Sequence, residues 1–191
     1  MTVDPIRRRA GSKEERDRSP LASVRRGCII HGMARAGFWA IESHTIRFGR
    51  DGRWYSDDEE IVNPRIARLF SQSIQRGDDG GWWLVGGDER AKIVVDDTPF
   101  VVQRVDGSPG TGFTIELNDE STEALPAESL RVGPEDVLYC DVKHGHYEAR
   151  FLRPAQAELL SHATESGDGF VLPLPNGASA PLRRAGSDRG R

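Results

Sequence analysis

Cysteine is nearly missing from this sequence. The 191 residues hold two, Cys28 and Cys140, too few for a disulfide framework and in keeping with a reducing, cytoplasmic setting. Long hydrophobic runs are missing as well: nothing approaches the about 18 apolar residues of a membrane-spanning helix. The nearest stretch, CIIHGMARAGFWAI over residues 28–41, is interrupted by His31 and Arg35, which argues against a secretory signal core. Arg25-Arg26-Gly27-Cys28 has no apolar lead-in and does not read as a lipobox. Apolar residues make up only 37%, and two charged ends account for much of that deficit.

The familiar signatures of catalysis are also lacking. There is no G-x-S-x-G elbow, no H-E-x-x-H and no paired C-x-x-C. GSPGTGF (107–113) matches a phosphate-cradling loop in glycine content alone, because Phe113 stands where that loop needs Lys and Ser or Thr. It reads as a connection between strands. No internal repeat is visible.

Charge is distributed unevenly. Residues 1–26 hold eight Arg or Lys against four acids, and residues 183–191 hold four Arg against one Asp. The whole chain totals −4, so ends at +4 and +3 leave residues 27–182 at −11. An acidic body repels phosphate backbones, which argues against a nucleic-acid groove in the folded part. The basic ends lack apolar periodicity and read as solvated disorder. Met33 offers an internal translation start within the leader.

Regular structure is legible from Thr45 onward. TIRFGRDGRWY alternates about Asp51-Gly52, a dipeptide suited to the positive φ of a tight hairpin, with Ile46 and Phe48 sharing a face. IVNPRIARLFSQSIQRG (61–77) predicts a helix. Asn63 caps it, Pro64 opens it, Ile66, Leu69, Phe70, Ser73 and Ile74 form its apolar face, and Gly77 ends it. Strands follow at 82–86, 91–96, 99–105 and 113–117, then SLRV, VLYCDV and HYEARFL, a second helix PAQAELLSHATES and a final strand GFVLPL. This order predicts an α+β, antiparallel β-rich fold with two short helices rather than a βαβ series.

DGRWY, IVNPRIARLF, GWWLV, ERAKIVVDDTPFVV and YCDVKHGHYEARFLRPAQAELL together resemble a bacterial family catalogued as domain of unknown function 1285, over residues 45–174. The resemblance implies two linked small subdomains, a β-roll and an α-β roll, and no established activity. The expected division is a leader over 1–44, an N-terminal subdomain with one helix over 45–106, a C-terminal subdomain over 107–175 and a disordered basic tail over 176–191.

Each candidate site residue has a plain structural reading beside the functional one. Asp96-Asp97 can bind a cation or supply a base, but strand neighbours point to opposite faces and Asp97-Thr98-Pro99 suits a turn. Arg90 can hold a ligand anion with its planar fork, or form a surface pair with Glu89. Trp54-Tyr55 and Trp82-Trp83 each send one ring inward to pack, leaving the other for a ligand or partner. In YCDVKHGHYEARFL, Lys143-His144-Gly145-His146 reads as a hairpin turn with positive φ at Gly145. Cys140 lies several residues away, so His144 and His146 are too few to hold a metal without a further ligand.

Tyr55, Arg90, Asp97 and Lys143 are therefore the candidate lining of a binding site. The expected role is a non-catalytic binding or regulatory module with a small-molecule or protein partner and no cofactor. The rival is an enzyme with a carboxylate or metal site near Asp97, His144 and His146. Sheet edges offer a third possibility, pairing into a homodimer.

Overall fold

The computed structural model describes residues 44–167 and 169–184. Cys28, Met33 and the basic leader up to residue 43 lie outside the described residues, as do residues 185–191.

The first unit is a six-stranded sheet with one helix. Its elements are β1 (Ile46–Phe48), β2 (Trp54–Ser56), β3 (Glu59–Glu60), α1 (Pro64–Ser73), β4 (Ile74–Arg76), β5 (Trp82–Gly86) and β6 (Glu89–Val95). The strand order is β3-β2-β1-β6-β5-β4. β1 and β2 form the expected hairpin, with Phe48 opposite Trp54 and Gly52 at φ +77° in the turn. Ile46 and Phe48 share the buried face. The Asn63 side chain accepts from the backbone N–H groups of Arg65 (3.0 Å) and Ile66 (3.4 Å), and Pro64 follows as the first helical residue. Ile66, Phe70 and Ser73 are buried beneath the helix, but Leu69 is 43% exposed. Leu69 lies at the border of the stripe because the i, i+4, i+7 series from Ile66 defines its centre.

The helix also ends earlier than Gly77. The Ser73 hydroxyl donates back to the Leu69 carbonyl at 2.7 Å, a bond that competes with the helix ladder. Ile74 then turns extended and pairs with Leu84. Gly77 instead closes the β4–β5 turn, donating to the Gly81 carbonyl at 2.9 Å.

The second unit holds β7 (Phe100–Ser108), β8 (Gly112–Leu117), β9 (Thr122–Ala124), β10 (Arg131–Val132), β11 (Leu138–Val142), β12 (Tyr147–Phe151) and α2 (Arg153–Ser161). A meander of β13 (Thr164–Ser166), β14 (Gly169–Pro173) and β15 (Ser179–Pro181) follows, then β16 (Arg183–Arg184). Seven strands form one sheet in the order β16-β10-β11-β12-β7-β8-β9, and the meander is a separate three-stranded sheet. GSPGTGF is the tip of the β7–β8 hairpin; Gly107 sits there at φ +115°, where a Cβ would lie 2.1 Å from the Gly112 carbonyl oxygen.

The α+β, β-rich reading holds, with two helices among the described residues and mainly antiparallel pairing. Three pairings are parallel: β1 with β6, β7 with β12, and β10 with β16. The chain passes from one sheet to the other at residues 96–99, so the expected division at 106 and 107 falls inside β7. α2 stops at Ser161, and residues 164–166 of its expected span form β13 instead. Part of the expected disordered tail is also structured. Residues 179–184 form β15 and β16, with Ala180 buried against Leu172 and Arg184 paired to Asp136 at 2.6 Å. Among the described residues no helix is long and apolar enough to cross a membrane.

Each unit has its own core, and β7 feeds both. Val101 belongs to the first, with Trp54, Phe70, Leu84 and Ile93; Phe100 and Val102 belong to the second, with Leu117, Leu138, Cys140 and Phe151. Strand alternation sends the neighbours to opposite sides. A buried polar chain runs through the same place. The Trp54 indole N–H donates to the Ser71 hydroxyl (3.0 Å), as does the Asn118 amide (3.1 Å), while the Asn118 carbonyl oxygen accepts from the Val101 N–H (3.0 Å).

Candidate functional site

The two adjacent aspartates of VVDDTPF lie in the bend just past the end of β6 and point apart. Asp96 turns to the first sheet and accepts from Arg47 at 2.8 Å. Asp97 turns to the second, accepting from the Tyr139 hydroxyl and from Arg150, both at 2.9 Å. Buried Thr98 donates to the Phe100 carbonyl at 2.7 Å. This linker fastens one sheet to the other. The hydrogen bond to Asp97 and burial raise the pKa of the Tyr139 phenol, with burial the larger cause.

Tyr55 donates to Asp51 at 2.6 Å, and the Arg47 guanidinium lies 4.3 Å over its ring. Arg90 is exposed and lies 5.2 Å over the Trp83 ring, whose indole N–H donates to Asp79 at 3.0 Å. Trp54 is the fully buried ring of the four, whereas Trp82 packs against Tyr147 with ring centroids 6.0 Å apart. Lys143 is half-buried and donates to Asp119 at 2.7 Å and to the Ser121 hydroxyl. Tyr55, Asp97 and Lys143 thus have their polar groups engaged with different neighbours, and the four candidates have no partner in common.

The hairpin reading of residues 143–146 agrees with the register, in which Val142 faces Tyr147. Positive φ is spread over Lys143 (54°), His144 (59°) and Gly145 (81°), more than the single glycine that the sequence signals. Cys140 is fully buried, and burial pushes its thiol up to about 12. Both histidines are exposed at the tip. Asp97 contacts the opposite end of the hairpin, through Tyr139 and Arg150, which face each other three residue pairs away. At about 3.3 Å per residue that is roughly 10 Å of strand, so Asp97, His144 and His146 do not form one site. Among the described residues no three His, Cys, Asp or Glu side chains converge to hold a metal ion.

Lys143 and Asp119 give a pH prediction. Burial alone would raise the Asp119 carboxyl, but hydrogen bonds from Lys143 and Ser121 outweigh it and hold the group below its ordinary value. A depressed folded pKa stabilises the fold above the unfolded value, about 4, and that contribution is lost as pH falls through the folded value. Lys143→Met keeps the stem and removes the charge. It is expected to cost about 1 kcal/mol at neutral pH and progressively less under acid, read from urea unfolding across that range.

Where the two units meet, a crevice of about 530 Å³ opens. The β1–β2 turn contributes Arg50 and Asp51. The segment before β11 contributes Glu135, Asp136 and Val137. The end of β12 and the start of α2 contribute Arg150 to Pro154, and Gln156 completes the lining. The walls are fixed in place. Gln156 accepts from the Leu138 N–H (3.0 Å) and donates to the Asp136 carbonyl (2.8 Å). Glu135 and Asp136 hold left-handed φ of 57° and 56°, uncommon for non-glycine residues. None of Tyr55, Arg90, Asp97 or Lys143 lines this space. The sequence did carry a signal for it: EARFLRP, within the family pattern, holds Arg150, Arg153 and Pro154. What it lacked was the hairpin tip at Arg50, about a hundred residues earlier.

Further hollows are lined by the described residues. One of about 660 Å³ is mainly apolar, between Leu138, Leu160 and Phe170. Another, about 500 Å³, is bordered by Glu123, Glu128, Asp141 and His144. There the Glu123 carboxylate already accepts from the Lys143 N–H, and Asp141 pairs with Arg131.

Comparison with known proteins agrees with the family resemblance. Residues 39–98 match the model for the N-terminal domain of the domain of unknown function DUF1285. The match ends where the chain leaves the first sheet. The crystal structure of a DUF1285 family protein from Silicibacter pomeroyi DSS-3 is similar at 28% identity and a TM-score of 0.57, covering 72% of this chain and 78% of that one. A DUF1285 family protein from Shewanella baltica OS155 shares the fold at 15% identity and a TM-score of 0.50, covering 63% of this chain and 93% of the other. No curated protein matches significantly.

Proposed function

From the likeness to the DUF1285 family, a family of unknown function, we propose that this protein is a non-catalytic binding module whose small-molecule site is the crevice between its two units. One observation carries the reading: residues far apart in sequence, Arg50 and Arg150 to Pro154, border one concavity of about 530 Å³. That volume lies within the range of about 300–1,000 Å³ typical of ligand sites, which favour such junctions. The Asp97 carboxylate is occupied by Arg150 and Tyr139, and the Cys140 thiol is buried. The enzyme alternative at Asp97, His144 and His146 is disfavoured by the length of strand that separates them.

Thermal unfolding with a panel of small organic molecules tests the reading. A ligand at a hundred times its Kd stabilises the fold by about 2.7 kcal/mol, or about 5–10 °C for a chain of this size. Val137→Phe, which narrows the crevice, is expected to abolish the shift. A ligand that stabilises Val137→Phe as strongly as the unaltered protein places the site elsewhere.

A further inference from the structure

We infer that the crevice takes an anionic group, a phosphate or carboxylate carried by a small organic molecule, between Arg50, Arg150 and Arg153. The inference rests on the binding reading above and adds the class of ligand. It begins with how the arginines are used. Thirteen fall among the described residues. Seven are held in ion pairs, and two more lie over tryptophan rings. Four remain without either, and two of those four, Arg50 and Arg153, border the same cavity. In a body of strongly negative net charge, two arginines without an acidic partner border one concavity.

Arg150 supplies a third cation on a firm mount. Its Nη1 donates to Asp97 at 2.9 Å, and its side chain is only 16% exposed. A guanidinium carries five donors in a planar fork, so one bond to Asp97 leaves others for a ligand. Such forks match the geometry of carboxylate and phosphate oxygens.

The acids on the same walls are mostly occupied. Asp51 accepts from the Tyr55 hydroxyl and the Arg53 N–H. Asp136 pairs with Arg184 at 2.6 Å. Glu135 is the remaining carboxylate. α2 also begins at this cavity, with neither an acidic residue in its first turn nor a side-chain cap, so its positive end also favours an anion there.

Calorimetric titration of the full chain with glycerol 3-phosphate, citrate and glycerol provides the test. The first two probes separate phosphate from carboxylate, and glycerol controls for the uncharged frame. At least one anion is expected to bind, more weakly as salt is raised, while glycerol does not. The Arg50→Gln, Arg153→Gln double variant is expected to lose affinity at least tenfold, and Arg65→Gln, another unpaired arginine away from the crevice, to keep it. Binding of neither anion, or equal affinity in the double variant, overturns the inference. A neutral ligand blocked by Val137→Phe but indifferent to the arginine substitutions overturns it while leaving the binding module standing. Absence of any ligand, charged or neutral, across the panel removes both.

Discussion

Replacing Trp54 with alanine is expected to cost about 3–5 kcal/mol of folding stability, the range for emptying a large aromatic site in a packed core. Trp54 is 1% exposed and holds the first core together from its centre. Its ring lies 4.8 Å from that of Phe48 and meets Phe70 edge-on at 5.3 Å. Alanine would remove those contacts and leave the Ser71 hydroxyl without its indole donor. Urea unfolding followed by far-ultraviolet circular dichroism gives the measurement. Trp54→Phe separates the two contributions, since it retains a ring and forfeits the N–H; it is expected to cost less than half as much. A loss below about 1 kcal/mol for the alanine variant contradicts the packing argument.

Asn118→Ala is expected to cost about 2–4 kcal/mol although it deletes only a small polar group. Leaving a buried donor or acceptor unmet costs about 1–3 kcal/mol per group, and Asn118 serves the Val101 N–H and the Ser71 hydroxyl together. The surrounding turn is tied down from α1 as well: Gln72 donates to the Asp119 carbonyl at 3.1 Å, and Arg68 pairs with Glu120 at 2.7 Å. The damage is therefore expected to reach the first unit although Asn118 lies in the second. A double-mutant cycle with Ser71→Ala should give a coupling energy of about 0.5–3 kcal/mol. Simple additivity would show that the two side chains act separately.

What the sequence revealed depended on how local the cause was. The Asn63-Pro64 helix start, the Asp51-Gly52 hairpin and the turn at Gly145 are each decided by a few neighbouring residues, and all three stand in the structure. The end of α1 was misjudged because the pairing of Ile74 with Leu84 across a turn overrode helical periodicity. β15 and β16 were missed because SAPLRR has little apolar pattern. Its order comes from Leu172, across the β14–β15 turn, and from the distant Arg131. The crevice was invisible for the same reason. Arg50 and Arg153 are each ordinary surface arginines in their own stretch, and only the parallel pairing of β7 with β12 brings their elements to one junction. The opposed aspartates were the exception. Strand alternation argued against a shared pocket unless the chain turned there, and it does bend at Asp96-Asp97, with the two side chains still facing apart.

The parallel pairings also set the order in which the chain can assemble. β8 lies just beyond β7 in sequence and can pair with it as a hairpin, but the other neighbour of β7 in the sheet is β12, whose residues begin at Tyr147. β10 at Arg131 waits longer still, for Arg183. A ribosome would thus finish the first unit while β7 still had one open edge, and the second sheet would close only when nearly all of its residues had emerged. Such long loops slow folding relative to local hairpins. The linker that fastens the two sheets would hold that open edge beside a sheet already formed.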